Sequence, residues 1–158
     1  MSAVRFPVIE GTSVERDLAL RAQVVVVGSG AGGAVAACEL ASGGLDVVVL
    51  EPGPYVPADR YTAEPVDMMT RLYADGGATA AIGRPGVGLP FARLVGGTTV
   101  INSGTCFRLP ATMVGKWART TGADLTVDSL APLFDEIEKD LSIAPADWEL
   151  IGRYGHRI

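Results

Sequence analysis

Two short apolar runs and the glycine-rich segment between them dominate the first third of the chain. Residues 22–27 (AQVVVV) end in four consecutive valines, and residues 45–50 (LDVVVL) repeat this character. Such continuous runs are typical of strands buried on both faces of a sheet. Between them lie a GSGAGG segment at 28–33 and an alanine-rich segment at 34–42 that a glycine pair ends. The pattern predicts a strand, a helix and a parallel strand joined by a right-handed crossover.

The rest of the chain has weaker periodicity until residue 126. Residues 66–74 predict a short helix, 76–88 a glycine-punctuated loop, and 94–106 form a second cluster of glycines and hydroxyl residues. Residues 126–143 predict the clearest late helix, with Asp128 as its N-cap. Its apolar stripe consists of Leu130, Phe134, Ile137 and Leu141.

The glycines of GSGAGG have the spacing of the dinucleotide-binding fingerprint. Gly28 permits a tight turn, Gly30 lets the backbone approach a pyrophosphate, and Gly33 allows the helix to pack closely on the strand. Ser29 lies in the same turn and is counted among the cofactor-binding residues, and the first N–H groups of the helix favour an anion. Glu51 lies at the end of the second strand, 23 positions after Gly28. There its carboxylate can accept hydrogen bonds from ribose hydroxyls. A carboxylate there would repel the 2′-phosphate of NADP, whereas NAD and FAD both remain possible ligands.

The second glycine cluster, residues 96–104 (GGTTVINSG), has two interpretations. Its backbone could approach a flat ring closely, with hydroxyl and amide groups for the ring heteroatoms. Alternatively, it is a Gly-Gly turn followed by a strand at 98–102. The spacing alone does not decide between the two.

Residues 24–53 followed by RLVGGTTVIN at 93–102 resemble the N-terminal part of a glucose–methanol–choline (GMC) flavin oxidoreductase. The first signature block of that family has the form R-x-x-GG-[ST]-[ST]-x-x-N, and Trp117 and residues 130–134 lie where the family carries a comparable tryptophan and helix. The resemblance covers residues 22 to about 143. It implies an α/β fold: a partial, Rossmann-like βαβ FAD-binding domain with a glycine-rich flavin-contact loop and a following helix.

The domain organisation that follows has three parts. Residues 1–21 form a lead-in, 22–143 the incomplete FAD-binding domain, and 144–158 a tail, and the C-terminal substrate domain of the family is absent. The catalytic histidine of the family lies in that absent part. His156 is the only histidine here and is expected to be a solvated tail residue, so no catalytic residue is assigned.

The resemblance also implies the cofactor and its contacts. FAD would be bound without a covalent link, because Ile101 stands where some members carry the attaching histidine. Arg93 would fold against the phosphates or pair with a carboxylate. The remaining implied contacts are the pyrophosphate with Gly28, Gly30 and Gly33, the ribose with Glu51, and the isoalloxazine with Gly96, Gly97, Thr98 and Asn102.

The implied reaction is hydride transfer from an alcohol carbon to flavin N5, and residues 102–110 look more like members that handle long-chain or bulky alcohols. We expect no activity from the chain alone, and a complementing C-terminal chain would be needed. The alternatives are a non-catalytic nucleotide-binding remnant or truncated gene product, and a pyridine-nucleotide Rossmann domain. The last would need further βα units after Glu51, which residues 76–104 do not provide.

Composition and charge exclude several other classes of protein. The 158 residues are 48% hydrophobic and 20% charged, which excludes disorder, and no apolar run reaches the ~18–20 residues of a membrane span. The net charge of −5 argues against nucleic acid. Cys38 and Cys106 form no CxxC pair and are expected to be buried in the core. Residues 1–17 show no signal peptide, so the cytoplasm is the expected compartment. The acids at 135–140 are expected to form a solvated helix face rather than a metal site.

Overall fold

The computed structural model describes residues 8–147. The chain divides into two compact units, Met1–Ser103 and Gly104–Ile158, each of which is described by itself. The first unit contains β1 (Val24–Val27), α1 (Ala31–Ser42), β2 (Val47–Leu50), α2 (Pro65–Leu72), β3 (Ala80–Ala81) and β4 (Val87–Gly88). The second contains α3 (Ala111–Thr121) and α4 (Val127–Asp140). No helix within residues 8–147 is long and apolar enough to cross a membrane.

The predicted βαβ unit is confirmed. β1 and β2 pair in parallel, with Val24 opposite Val47 and Val27 opposite Leu50. The helix between them begins at Ala31, three residues before the predicted start, because the carbonyl of Gly30 already accepts the first helical hydrogen bond. A mixed α/β arrangement around a small parallel sheet is therefore the fold of this unit.

The start of α1 lies very close to the end of β1. A Cβ atom added at Gly33 would lie only 2.0 Å from the carbonyl oxygen of Gly28. Gly28 itself has a φ of +90°, a conformation that side chains disfavour. Both glycines are thus required by the backbone path before any ligand is considered.

A small core forms where α2 meets the segment before the second glycine cluster. Leu94 is completely buried, and Leu72 and Ala92 pack beside it. Met68 packs against this cluster, whereas Met69 is 43% exposed.

The strand interpretation of residues 98–102 is wrong. Gly97–Val100 form a 3₁₀ turn instead. Gly96 and Gly97 have φ values of +95° and +57°, which bend the chain, and the amide of Gly97 donates to the carbonyl of Leu94. This left-handed pair overrides the strand preference of the β-branched residues that follow.

In the second unit, the late helix is confirmed and one helix was missed. α4 ends at Asp140, and its N-cap is Thr126 rather than Asp128. The Thr126 hydroxyl accepts from the Ser129 amide, and the Ser129 hydroxyl accepts from the Thr126 amide, each over 3.0 Å. This reciprocal pair is a capping box that Asp128, one residue inside the helix, could not form. α3 was not predicted.

The prediction of buried cysteines is wrong. Cys38 and Cys106 are both exposed. Cys38 lines an open groove between α1 and β2, together with Ala34, Ala37 and Val49. Two of the acids on α4, Asp135 and Glu138, hold Arg108 through hydrogen bonds of 2.6–2.7 Å. The predicted tail role of His156 lies outside the described residues.

We expect Gly33→Ala to lower the free energy of unfolding by about 3 kcal/mol, because its methyl group overlaps the Gly28 carbonyl. Gly32→Ala is the matched control, since a Cβ at Gly32 meets nothing within 4 Å. In the same helix it should raise the free energy of unfolding by about 0.5 kcal/mol. Urea unfolding followed by circular dichroism measures both, and equal stability of the two variants would contradict the close packing.

Candidate nucleotide-binding site

The turn between β1 and α1 leaves a space that a ligand could enter. The amide of Gly28 donates to the carbonyl of Leu50 over 2.8 Å, which fixes the turn against the end of β2. Gly30 is the N-cap of α1, and a Cβ added there would meet no atom within 4 Å. The first amides of α1 adjoin this space and carry a positive partial charge. The geometry therefore suits an anionic group that approaches the backbone of Gly30.

Glu51 follows β2 directly, and three donors hold its carboxylate. Oε2 accepts from the amide of Ser29 over 3.0 Å and from its hydroxyl over 2.7 Å. Oε1 accepts from the amide of Gly53 over 2.9 Å. The carboxylate thus joins the end of β2 to the turn that precedes α1.

The ionised form of Glu51 is favoured. Partial burial raises the pKa of the carboxyl group, but three hydrogen bonds outweigh this effect: those from the Ser29 hydroxyl, the Gly53 amide and the Ser29 amide. The positive charge of Arg93 acts in the same direction. The pKa of Glu51 is consequently lower than that of an ordinary glutamate.

The second glycine cluster lies against this turn. A Cβ added at Gly97 would lie 3.1 Å from the Cα atom of Gly30, and the amide of Gly96 donates to the Ser29 hydroxyl over 2.9 Å. The Thr98 hydroxyl accepts from the amide of Ala92, which holds the loop onto the small core. The two glycine motifs, far apart in sequence, therefore form one surface.

The remaining predicted residues lie around this surface. Arg93 is exposed, and its backbone passes so close to Gly53 that a Cβ there would lie 2.3 Å from the Arg93 carbonyl. Ile101 packs on the small core, and Asn102 follows it at the exposed end of the loop. Gly53 was not predicted as a site residue, although its position in the EPGP segment after β2 could have indicated the close approach.

These residues fit an extended dinucleotide. The open space at Gly30 suits a pyrophosphate, an ionised carboxylate lies at the end of the neighbouring parallel strand, and a glycine loop begins on the other side of the turn. The unit Met1–Ser103 thus has a partial Rossmann-like fold, and the space at its first turn suits a nucleotide.

Comparisons with known proteins identify the family. The family model described as "GMC oxidoreductase" matches residues 69–151, and that described as "NAD(P)-binding Rossmann-like domain" matches residues 26–83. The chain is 48% identical over 140 residues to an uncharacterized GMC-type oxidoreductase of Mycobacterium tuberculosis, an alignment that covers 87% of this chain and 22% of that protein. It is 36% identical over 129 residues to an uncharacterized GMC-type oxidoreductase of Sinorhizobium fredii, with coverage of 81% and 26%. A long-chain-alcohol oxidase of Arabidopsis thaliana is 38% identical over 109 residues, with coverage of 69% and 14%.

The chain belongs to the GMC oxidoreductase family. It spans about a fifth of the length of the mycobacterial relative. The two family matches imply a flavin or nucleotide cofactor.

We expect Glu51→Gln to flatten the dependence of stability on pH. Because the folded-state pKa of Glu51 is lowered, its ionised form stabilises the fold above the ordinary glutamate pKa of about 4.3. That stabilisation is lost as the pH falls below this value towards the folded-state pKa. Urea unfolding at pH steps from about 6 to about 3 measures the difference between wild type and variant. Glu39→Gln, at an exposed position of α1, is the control for removal of one charge. Parallel curves for wild type and Glu51→Gln would contradict the assignment.

Proposed function

We propose that this chain is the FAD-binding portion of an alcohol oxidoreductase that transfers a hydride from a CH–OH group to FAD. The observation that carries the proposal is the meeting of the two glycine motifs, with Gly97 against Gly30 and Gly96 hydrogen-bonded to Ser29. A site for a single phosphate would need only the first motif. A cofactor with a phosphate segment and a flat ring needs a second surface beside it.

Each part of the site has a role in this proposal. The glycine turn before α1 holds the pyrophosphate through its backbone and the start of the helix. The carboxylate at the end of β2 accepts hydrogen bonds from the ribose hydroxyls, and the second glycine cluster lies against the flavin ring. Arg93 contributes its charge beside Glu51. In this order, the residues are Gly28, Gly30 and Gly33, then Glu51 with Ser29, whose amide and hydroxyl donate to its carboxylate, then Gly96, Gly97, Thr98 and Asn102.

FAD would supply a two-electron acceptor at its ring, and the chain's own residues would bind and orient it. The position before Asn102 is Ile101, whose side chain packs on the small core, so we infer non-covalent binding. The Arabidopsis relatives are long-chain-alcohol oxidases, which supports long-chain alcohols, within the expected class of long-chain or bulky alcohols, as the substrates. No residue of this chain is proposed as the catalytic base.

We further propose that a complementing chain supplies the remaining part of the enzyme, in the cytoplasm. Val25 and Val27 on β1 are 55% and 81% exposed, although continuous valine runs are typical of strands covered on both faces. Further strands and helices packed on this sheet would cover them. The alternative remains a nucleotide-binding remnant that has no activity.

A pyridine nucleotide is the second candidate ligand. The match of the Rossmann-like model to residues 26–83 favours it, because that segment contains the fingerprint and Glu51. It does not account for the second glycine cluster at 96–104, which an NAD-binding turn does not require. FAD is therefore the ligand that uses both motifs.

We expect the purified chain, incubated with excess FAD, to retain the two visible flavin bands after gel filtration. Gly30→Ala should lower FAD affinity about tenfold or more, because its methyl group occupies the space proposed for the pyrophosphate. The fold should tolerate this variant, since a Cβ at Gly30 meets no protein atom within 4 Å.

Gly88→Ala on β4 is the matched control, because a Cβ there also meets open space. It should bind FAD as the wild type does. Fluorescence titration with FAD and with NADH measures both affinities. Tighter binding of NADH than of FAD would favour the second candidate, and equal FAD affinity of wild type and Gly30→Ala would contradict the pyrophosphate position.

We also expect a primary alcohol to leave the visible absorbance of the FAD-loaded chain unchanged, because the proposed site contains no general base for the hydroxyl proton. Anaerobic titration with a long-chain alcohol, followed by absorbance, tests this. Bleaching of the flavin bands would show that the chain is active without a complementing part.

A further inference from the structure

Ser29 is the one buried polar side chain among residues 8–147, with 8% of its surface exposed. Its hydroxyl donates to Glu51 Oε2 over 2.7 Å and accepts from the amide of Gly96 over 2.9 Å. A serine hydroxyl has one donor, and this donor is used within the protein. The side chain of Ser29 therefore serves the protein's own groups.

We propose that Ser29 is a positioning residue that orients the Glu51 carboxylate for the ribose and sets the position of the second glycine loop relative to the first. This inference rests on the proposed function as a nucleotide site. Ser29 acts through Glu51 and Gly96, and its side chain does not contact the cofactor.

The hydrogen bonds of Glu51 support the first half of the inference. Oε2 already accepts two hydrogen bonds from Ser29, and Oε1 accepts one from Gly53. A carboxylate offers about four acceptor positions, so the remaining one lies on Oε1. By engaging Oε2, Ser29 fixes the rotation of the carboxylate and thereby the direction in which Oε1 can accept a ribose hydroxyl.

The link to Gly96 supports the second half. Residues 29 and 96 are 67 positions apart, and this hydrogen bond joins the turn before α1 to the loop proposed for the flavin ring. Gly96 has a φ of +95°, so its amide direction depends on a conformation that only a glycine adopts readily. One hydroxyl thus connects the ribose end and the ring end of the site.

The experiment compares the affinities of the full chain for ADP and for 2′,3′-dideoxyadenosine diphosphate by calorimetry. Wild type should prefer ADP about tenfold, because only ADP offers hydroxyls to Glu51. Ser29→Ala should reduce this preference to near unity, as Glu51→Ala does. In the Glu51→Ala background, Ser29→Ala should change the preference no further, which is the expected result if Ser29 acts through Glu51.

Amide hydrogen exchange at Gly96 is the second readout and needs no nucleotide. Ser29→Ala should accelerate it about tenfold, because the amide loses its acceptor. Ser29→Thr keeps the hydroxyl and should restore both readouts. Ser29→Cys has nearly the volume of serine and only weak hydrogen bonding, so it replaces Ser29→Ala if that variant does not fold.

If a folded Ser29→Ala chain keeps the wild-type preference for ADP over the dideoxy analogue, the inference is overturned. A serine with a merely structural role would weaken the binding of both nucleotides equally and leave their ratio unchanged. A wild-type chain that binds neither FAD nor ADP would contradict the proposed function instead. The half of the inference that concerns the second glycine loop would then be decided by the Gly96 exchange rate: acceleration in Ser29→Ala supports it, and an unchanged rate overturns it.

Discussion

The close approach of α1 to the end of β1 is the constraint on which the site depends. With only 2.0 Å between the Gly28 carbonyl and the place of a Cβ at Gly33, the helix must begin immediately beside the strand. The turn between the strand and the helix is then too short to form a hydrophobic core of its own. It directs the first helical amides into the open space at Gly30 and turns Ser29 inward, towards the end of β2. The Glu51 carboxylate and the second glycine loop both contact this turn.

Glu51 shows how an acid can be held in a chain that is already acidic. The net charge is −5, and partial burial of a carboxylate is unfavourable. The donors from Ser29 and Gly53 offset this cost, and the positive charge of Arg93 acts in the same direction. The same hydrogen bonds limit how many further groups the carboxylate can accept. A local solution to charge burial thus also restricts ligand geometry.

The sequence was informative where a local pattern decides the structure. The two valine runs and the glycine turn that follows the first were sufficient to predict the βαβ unit, because few other folds are compatible with their spacing. The turn at Gly97–Val100 could not be predicted this way, since its β-branched residues favour a strand and only the two positive-φ glycines prevent it. α3 was missed because Gly115 and three threonines weaken its helical pattern. The hydrogen bond between Ser29 and Gly96 has no local signal at all, because it joins residues 67 positions apart.

The small size of the core explains why such contacts matter here. Within residues 8–103, the buried apolar side chains are Leu72, Ala74, Ala92 and Leu94. Three of them, Leu72, Ala92 and Leu94, form one cluster, on which Ile101 of the second glycine loop packs. Hydrophobic burial is non-directional and would tolerate small shifts of the loop. A hydrogen bond to a buried hydroxyl and the contact of Gly97 with Gly30 do not, because both have narrow limits of distance. The relative position of the two glycine motifs is therefore determined by polar contacts and close backbone packing, and a single methyl group or a missing hydroxyl is enough to disturb it.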